Sequence, residues 1–374
     1  MYKGAYKMKF ICEKSKLQEA ISTAQKAVTG KSTMTILEGI LLIAKNNELT
    51  LIGSDIDLSV ETKIQADIIE DGSIVVDSKL FGELIKKLPN SEVQINTIEN
   101  NSLEILCEKS KAVLKYMNSD EFPMLPKINE NMLLTIPQKL LKNMIRGTIF
   151  ATAQDEIRPI LTGVKFEINN GKLNLVALDG LRLALRSEAV DNDNTISAVI
   201  PGKTLSEVSK ILEDSEENVN ITFTPNHILF NLGNTKIISR LLEGEFINYK
   251  SIIPDEYNLK VTLKRNEFYD CIERASLMAK EGNTNLVKLD IQDDIMIITS
   301  DSQLGKAREE LNVIMQGEPL KIAFNARFVI DVLKIMDEEE IVLEFTSSVS
   351  PCIVRNKDRE NCTYLVLPVR VMGY

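Results

Sequence analysis

Three stretches of this 374-residue chain share one pattern, and their spacing constrains the fold more than any other feature of the sequence. Each stretch has apolar residues at its first and third positions and an aspartate at its seventh. These aspartates are Asp55, Asp179 and Asp301, which are 124 and 122 residues apart. Because units of about 120 residues can each bury a hydrophobic core, the pattern predicts three similar domains rather than a solenoid of short repeats.

The middle copy of the pattern is the clearest and has the sequence of a β-hairpin. Leu173 and Leu175 alternate with a polar residue on the first strand. Leu183 and Leu185 alternate with other residues on the second strand. The Asp-Gly pair at 179–180 lies between the strands, and glycine accepts the positive φ that a tight turn requires. The middle third therefore contains an antiparallel strand pair whose turn begins at the repeated aspartate.

Hydrophobic periodicity predicts the same order of elements in each third. Apolar residues three and four apart predict two amphipathic helices, and alternating runs predict the strands. The order is β-α-β-β-β-β-α-β-β-β, an α+β class in which antiparallel sheets pack on two helices. The predicted helices lie near 15–27 and 78–87, begin at Pro137 and after Pro201-Gly202, and lie near 266–278 and 326–336. Predicted strands include 36–44 and 364–369, and the predicted domains are 8–128, 129–255 and 256–374.

Composition limits the class of protein. Five cysteines, an odd number without CxxC spacing, predict buried reduced thiols in a cytoplasmic protein. No apolar run approaches the ~20 residues of a membrane-spanning helix, so no membrane partner is expected. A net charge of −10 argues against a protein coated by nucleic acid, although it is compatible with a locally basic face.

The sequence offers little for catalysis. His227 is the only histidine, and the spaced motifs of phosphate-binding loops, zinc proteases and serine nucleophiles are missing. An enzyme that uses the three repeated aspartates as a carboxylate set is an alternative. Aspartate is favoured at turns, however, and equivalent places in three domains favour turn and strand-end roles. We therefore expect no catalytic residue, no metal and no cofactor.

The predicted helices carry more basic than acidic residues, although the chain as a whole is acidic. Two interpretations stay open, namely solvated surface helices or a basic surface that faces a polyanion. In the second case, contacts with nucleic acid would be made to phosphates, independent of sequence and sensitive to salt. The basic helix positions are Lys16, Lys26, Lys79, Lys86, Lys87, Lys139, Lys142, Arg146, Lys203, Lys210, Arg265, Arg274, Arg327 and Lys334.

A series of motifs resembles the bacterial sliding clamps, the β subunits of DNA polymerase III, over essentially the whole chain from Met8. Their shared order, their spacing and the triple repeat carry the resemblance. The motifs are Met8-Lys-Phe, Ile36-Leu37-x-Gly39, Phe122-Pro123, Leu178-Asp-Gly-Leu-Arg-Leu183, Ile200-Pro-Gly-Lys203, Phe324-Asn325 and Tyr364-Leu-Val-Leu-Pro-Val-Arg370.

The resemblance implies the DNA clamp fold and a non-enzymatic role in replication. Each chain would form half of a six-domain ring, a head-to-tail homodimer around double-stranded DNA with helices lining the hole. The clamp would tether the replicative polymerase for processivity and remain in the cytoplasm with the nucleoid. By resemblance, Lys31, Lys79 and Lys203 are DNA-contact positions, and the basic helix positions Lys139, Lys142 and Arg146 complete the predicted DNA-binding set.

The resemblance also implies a pocket between the second and third domains. This pocket docks short peptides of the polymerase catalytic subunit, the clamp loader, repair polymerases and mismatch-repair proteins. Leu178 and Leu181 stand where some members carry Thr and His, and Ile247 where Pro is common, so a more apolar pocket is expected. The matching positions are Arg158, Leu161, Leu178, Gly180, Leu181, Arg182, Leu183, Ile247, Ile252, Asn325, Phe328, Val349, Pro351, Leu365, Leu367, Pro368, Val369 and Arg370.

The ring seam is expected between an edge strand of the first domain and the first helix of the third. The matching residues are Ala112, Leu114, Arg274, Leu277 and Met278. Ring closure would satisfy an edge strand that otherwise invites uncontrolled pairing. A monomeric three-domain scaffold that binds partners but not DNA is the remaining alternative, and particle mass distinguishes it from the ring.

Overall fold

The computed structural model describes most of the chain. The described residues are 7–30, 34–126, 128, 133–155, 157–279, 285–303, 305–357 and 361–371. Within these ranges, none of the helices combines the length and apolar character needed to cross a bilayer. Nor do the described His, Cys, Asp and Glu side chains form a group suited to holding a metal ion.

The first third contains two helices among short antiparallel strands. Helix α1 buries Leu17, Ala20, Ile21 and Ala24, the apolar face predicted from their spacing. The elements are β1 (Lys9–Glu13), α1 (Lys14–Ala24), β2 (Gly39–Lys45), β3 (Glu48–Ser54), β4 (Leu58–Gln65), β5 (Asp67–Glu70), β6 (Gly72–Asp77), α2 (Ser78–Lys87), β7 (Glu92–Ile98), β8 (Ser102–Cys107) and β9 (Ser110–Asn118).

The second third repeats this order. A shift of 124 residues superposes the bounds of β2, β3, β4, β6 and α2 on those of β11 to β14 and α4. The elements are β10 (Leu133–Pro137), α3 (Gln138–Ile149), β11 (Gly163–Asn169), β12 (Lys172–Leu178), β13 (Arg182–Ala189), β14 (Ile196–Pro201), α4 (Gly202–Ile211), β15 (Asn218–Phe223), β16 (His227–Asn231) and β17 (Thr235–Arg240). The first two thirds are therefore copies of one α+β unit, as predicted.

The last third has the same two-helix plan. The elements are β18 (Leu259–Lys264), α5 (Arg265–Ala279), β19 (Leu286–Gln292), β20 (Ile295–Ser302), β21 (Gly305–Asn312), β22 (Ile314–Gly317), β23 (Leu320–Asn325), α6 (Ala326–Ile335), β24 (Glu340–Phe345), β25 (Cys352–Asn356) and β26 (Cys362–Val366). The short strands β5 and β22 were not predicted. Each pairs with the first strand of its own third, β1 and β18.

Three predicted boundaries are wrong for local reasons. Residues Thr35–Glu38 form a 3₁₀ turn, so the strand predicted from 36 begins only at Gly39. The strand predicted at 364–369 ends at Val366, because Pro368 has no N–H for a sheet ladder. Pro137 is the last residue of β10 rather than the first of a helix, and α3 begins one residue later.

The described chain forms two compact units, each with its own sheets. The first unit, Met1–Lys139 with Glu207–Leu241, contains a 13-stranded sheet in the order β10-β15-β16-β17-β4-β3-β2-β6-β9-β8-β7-β1-β5. The second unit, Leu140–Ser206 with Leu242–Tyr374, contains a nine-stranded sheet in the order β14-β11-β12-β13-β26-β25-β24-β18-β22, and a four-stranded sheet, β21-β20-β19-β23. Strand pairing thus continues across the boundaries between thirds, through β4–β17 and through β13–β26.

The five cysteines are free and buried, as predicted from their number and spacing. Burial, with a smaller contribution from the nearby charge of Glu13, raises the pKa of the Cys12 thiol to about 12. Thiols held neutral in this way are weak nucleophiles. They act as small apolar core residues.

Candidate functional site

The repeated aspartate of the second third closes a tight turn between β12 and β13. The Asp179 N–H donates to the Arg182 carbonyl (3.2 Å), and its Oδ1 accepts from the N–H groups of Leu181 (2.9 Å) and Arg182 (3.0 Å). Gly180 has φ +90°, a conformation that glycine adopts without a steric penalty. The turn therefore holds Leu181, half exposed at 51%, at the surface beside the start of β13.

Arg182 is buried at this turn, with 8% of its side chain exposed. Its Nε donates to Asp179 Oδ2 (2.9 Å), and its Nη1 donates to Asp331 Oδ2 on α6 (2.6 Å). The guanidinium also lies 4.7 Å from the ring centroid of Phe328 and 5.5 Å from that of Phe150. Two carboxylates and two aromatic faces compensate for the burial of its charge. Arg182 therefore ties β13 to α6.

A cluster of apolar side chains lies next to this turn. Of the predicted pocket residues, it brings together buried Leu161, Leu178, Leu183 and Leu365. Partly buried residues from the list also pack against it, namely Ile247, Ile252 and Leu367. An apolar cluster whose margin stays partly exposed and is flanked by a few polar groups is typical of a ligand site.

The other predicted pocket residues lie outside this cluster. Val349 is 60% exposed, and Arg158 and Arg370 are also exposed. Asn325 caps α6 by accepting a hydrogen bond from the Arg327 N–H (3.0 Å). Gly180 is exposed as well, and the remaining positions, Pro351, Pro368 and Val369, are partly buried.

The segment after β26 is fixed at two points. The Leu367 N–H donates to the Leu181 carbonyl (2.9 Å), and the Val369 N–H donates to the Ala323 carbonyl (2.8 Å). The first of these bonds joins the segment to the turn of the second third. The second joins it to β23 in the last third. Leu367 is thereby held at one side of the apolar cluster.

The sequence did not reveal several residues that complete this region. Tyr249 and Ile353 are buried in the cluster, and Phe246 packs against it. Phe246 carries a signal, because it lies 124 residues after Phe122. Asp331 had no sequence signal, because it stands 149 residues from its partner Arg182.

Tyr249 is joined to β11 by a polar contact. Its hydroxyl donates to Glu167 Oε2 (2.6 Å), and the carboxylate also accepts Lys250 (3.2 Å) and Lys165 (3.4 Å). Burial alone would raise the pKa of Glu167, but the hydrogen bonds from Tyr249 and Lys250 lower it overall. Burial and the bond to this carboxylate raise the pKa of Tyr249. At neutral pH the pair is therefore a neutral phenol donating to a carboxylate.

Five of the six predicted DNA-binding residues lie on three helices. Lys79 lies on α2, Lys139, Lys142 and Arg146 on α3, and Lys203 on α4. Lys142 is partly buried and the other four are exposed. Lys139 approaches Glu216 at 3.8 Å, a surface pair that solvent screens. Lys31 lies outside the described residues.

The predicted seam residues lie on strand β9 and on helix α5. In β9, residues 110–115 pair with β8, and pairing with β6 is confined to 116–118, so Ala112 and Leu114 face an open edge within the described chain. In the other unit, Leu277 is 52% exposed on α5. Met278 follows it and is partly buried. Arg274 donates to Glu309 of the edge strand β21 (2.5 Å).

The repeated aspartates have the turn and strand-end roles expected of them. Asp55 accepts the Leu58 N–H (2.8 Å) at the turn before β4, as Asp179 does before β13. Asp301 lies near the end of β20 and pairs with Lys306 (3.1 Å). Each has a local structural partner.

Three copies of a two-helix α+β unit define the DNA clamp class. Family profiles match all three: residues 8–126 match the N-terminal, 135–248 the central and 250–370 the C-terminal domain of the DNA polymerase III beta subunit. The chain belongs to this family, the bacterial β sliding clamps.

Individual relatives agree with this assignment. The beta sliding clamp of Bacillus subtilis is 38% identical over 97% of this chain and 100% of its own, and that of Staphylococcus epidermidis is 36% identical over 97% and 99%. The crystal structure of the B. subtilis clamp superposes with a TM-score of 0.95 at 37% identity, covering 98% of this chain and 100% of that one. A Pseudomonas aeruginosa clamp bound to griselimycin gives 0.93 at 25% identity, with 98% and 100% covered.

Proposed function

We propose that the chain works as half of a ring-shaped homodimer that encircles duplex DNA and tethers the replicative polymerase. The single observation that carries this proposal is the triplicated clamp unit with open edges in its first and last thirds. A head-to-tail contact between those edges that closes after one rotation gives a ring rather than a filament. The three domains of each half ring would be 8–128, 129–255 and 256–374.

The contact with DNA would be electrostatic and independent of sequence. A duplex carries a negative charge every ~1.7 Å of axis, so exposed lysines on the helices find phosphates at every register. Contacts to phosphates alone leave the protein free to slide. Lys79, Lys139, Lys142, Arg146 and Lys203 are the residues we assign to this surface, and Lys31 is added by resemblance. Retention would come from topology more than from affinity.

Partner proteins would dock at the apolar cluster around Leu161, Leu178, Leu183 and Leu365. Its aliphatic surface and polar margin suit a short apolar peptide. The partners would be the polymerase catalytic subunit, the clamp loader, repair polymerases and mismatch-repair proteins. The chain itself would catalyse no reaction and would act in the cytoplasm.

A retention experiment tests the ring. The protein, loaded on nicked circular DNA by its clamp loader, should stay bound and should leave when the DNA is linearised. Sedimentation should give a particle of twice the 42.0 kDa chain mass, and scattering should show that it is hollow. Replacing exposed Leu277 by Asp should give monomers that are not retained. A 42.0 kDa wild-type particle would instead support the monomeric scaffold.

A further inference from the structure

The segment 242–258, between β17 and β18, supplies part of the apolar cluster. Its ends are held by backbone hydrogen bonds from Leu242 (2.9 Å) and Asn258 (2.8 Å) to the neighbouring sheet. Its middle brings Ile247 and Ile252 against the cluster. Because the middle lies outside any strand, the placement of these two side chains depends on what restrains it.

Tyr249 supplies that restraint. It is 3% exposed, and no other residue in the fully described stretch 242–258 is buried. Its hydroxyl donates to Glu167 (2.6 Å) on β11, and the Lys165 ammonium lies 5.8 Å from its ring centroid. Lys250 binds the same carboxylate from the exposed side (3.2 Å). One phenol, one carboxylate and two ammonium groups thus fix the middle of the segment to the sheet.

The first third makes the same connection without polar groups. The residues 124 positions earlier are Leu41, Ile43 and Leu125 in place of Lys165, Glu167 and Tyr249. All three belong to an apolar cluster around buried Phe122. Apolar packing therefore suffices to hold this segment in the clamp unit, and the polar version in the second third needs another explanation.

We propose that Tyr249 and Glu167 are positioning residues that set Ile247 and Ile252 for peptide docking, an inference that rests on the peptide pocket proposed above. A charge-assisted hydrogen bond has a defined direction, so it fixes one orientation of the segment. Apolar contacts alone allow several orientations at similar free energy. The anchor lies behind the cluster and acts through the two isoleucines rather than on the peptide.

The first experiment removes only the hydroxyl. Fluorescent peptides spanning the cognate polymerase catalytic subunit are titrated with full-length wild type, Tyr249→Phe and Tyr269→Phe. Tyr269 is the matched control, because its hydroxyl donates to a carboxylate on an exposed helix face (2.8 Å to Glu273). We expect Tyr249→Phe to weaken the tightest peptide about five- to ten-fold, since the segment then occupies the docking orientation only part of the time. Amide exchange at 246–253 should accelerate in this variant alone.

A second variant installs the anchor of the first third. In K165L/E167I/Y249L, apolar side chains should hold the segment against the sheet but in several orientations, so peptide affinity should stay about five- to ten-fold weaker than that of wild type. Affinity within about two-fold of wild type would overturn the proposal, because apolar packing would then position the two isoleucines equally well. In Tyr249→Phe, weakened binding without faster exchange at 246–253 would also overturn the proposal, because it would indicate direct contact with the peptide. Faster exchange with unchanged affinity would overturn it as well. If wild type bound none of the peptides, the docking function would be refuted, while the exchange data would still report on the anchor.

Discussion

Strands of neighbouring thirds pair at two junctions, β4 with β17 and β13 with β26. The two junctions have the same backbone conformation but different side chains. At each junction, the strand of the earlier third follows a turn that begins at a repeated aspartate. The Asp55 N–H donates to the Leu58 carbonyl (3.0 Å), as the Asp179 N–H does to that of Arg182 (3.2 Å). Equivalent positions thus carry a buried leucine in one case and a buried arginine in the other.

The buried residues that flank the two turns differ in the opposite sense: they are polar at the first junction and apolar at the second. Ser54 and Ser59 are buried with their hydroxyls 2.8 Å apart, whereas Leu178 and Leu183 stand at the equivalent positions. The two serine hydroxyls satisfy each other's hydrogen-bonding capacity, and they provide no apolar side chains at this position. The backbone of the junction is therefore set by the aspartate and the strands. Only the side chains distinguish the β13–β26 junction, a candidate docking site, from the β4–β17 junction.

The largest effect on stability is expected from replacing Arg182 of the second junction by leucine, the residue at the equivalent position, Leu58, of the first. Arg182→Leu leaves Asp179 and Asp331 facing each other without the guanidinium, so we expect a loss of about 3–5 kcal/mol of stability. Urea denaturation measures this change. The double variant R182L/D331L should recover most of the loss, because it removes one stranded carboxylate. If the double variant were no more stable than the single one, the ion pair would not explain the burial of this arginine.

Exchanging the buried residue pairs of the two junctions tests the assignment of the peptide pocket. Leu178→Ser with Leu183→Ser reproduces the hydroxyl pair and should weaken peptide binding about 100-fold, or ~2.7 kcal/mol, through lost apolar contact. The matched variant S54L/S59L alters the other junction and should leave affinity unchanged. Fluorescence anisotropy measures both. Equal losses in the two variants would point to a general effect on folding.

The turns themselves predict a smaller effect. Ile56 has φ +82° where Gly180 has +90°, and a β-branched residue is strained in this region. Ile56 is 57% exposed, so Ile56→Gly sacrifices little packing and should stabilise the protein by about 0.5–1 kcal/mol. Gly180→Ile should destabilise it. Thermal melts of the two variants that shift in the same direction would contradict this explanation.

The polar anchor predicts a pH window. The pKa of Glu167 is lowered in the fold, so its contribution is present above the ordinary glutamate pKa and is lost as pH falls through the lowered value. The pKa of Tyr249 is raised, so its contribution is present below the ordinary tyrosine pKa and is lost as pH rises through the raised value. Amide exchange at 246–253, corrected for intrinsic rates, should be flat between these limits. Glu167→Gln should abolish the acid limb.

Most of the architecture was predictable, because periodicity and an aspartate at a fixed spacing are local signals. The two strands that were missed, β5 and β22, have four residues each and mostly exposed side chains, so they show little alternation. The apolar wall of the candidate site followed from family resemblance. Its polar supports did not, because Tyr249 and Glu167 are 82 residues apart and only folding brings them together. No pattern within a short window encodes such a pair.

The continuity of the sheets also bears on synthesis of the chain. Every strand of the 13-stranded sheet has been translated once residue 240 is made, whereas the nine-stranded sheet requires β26, which ends at Val366. On the ribosome, β15 to β17 can therefore find all their partners early, while β13, which pairs with β12 on one side, lacks β26 on the other. The hairpin that carries Arg182 remains uncovered until nearly the whole polypeptide has emerged, and this interval is when a nascent clamp has most need of a chaperone.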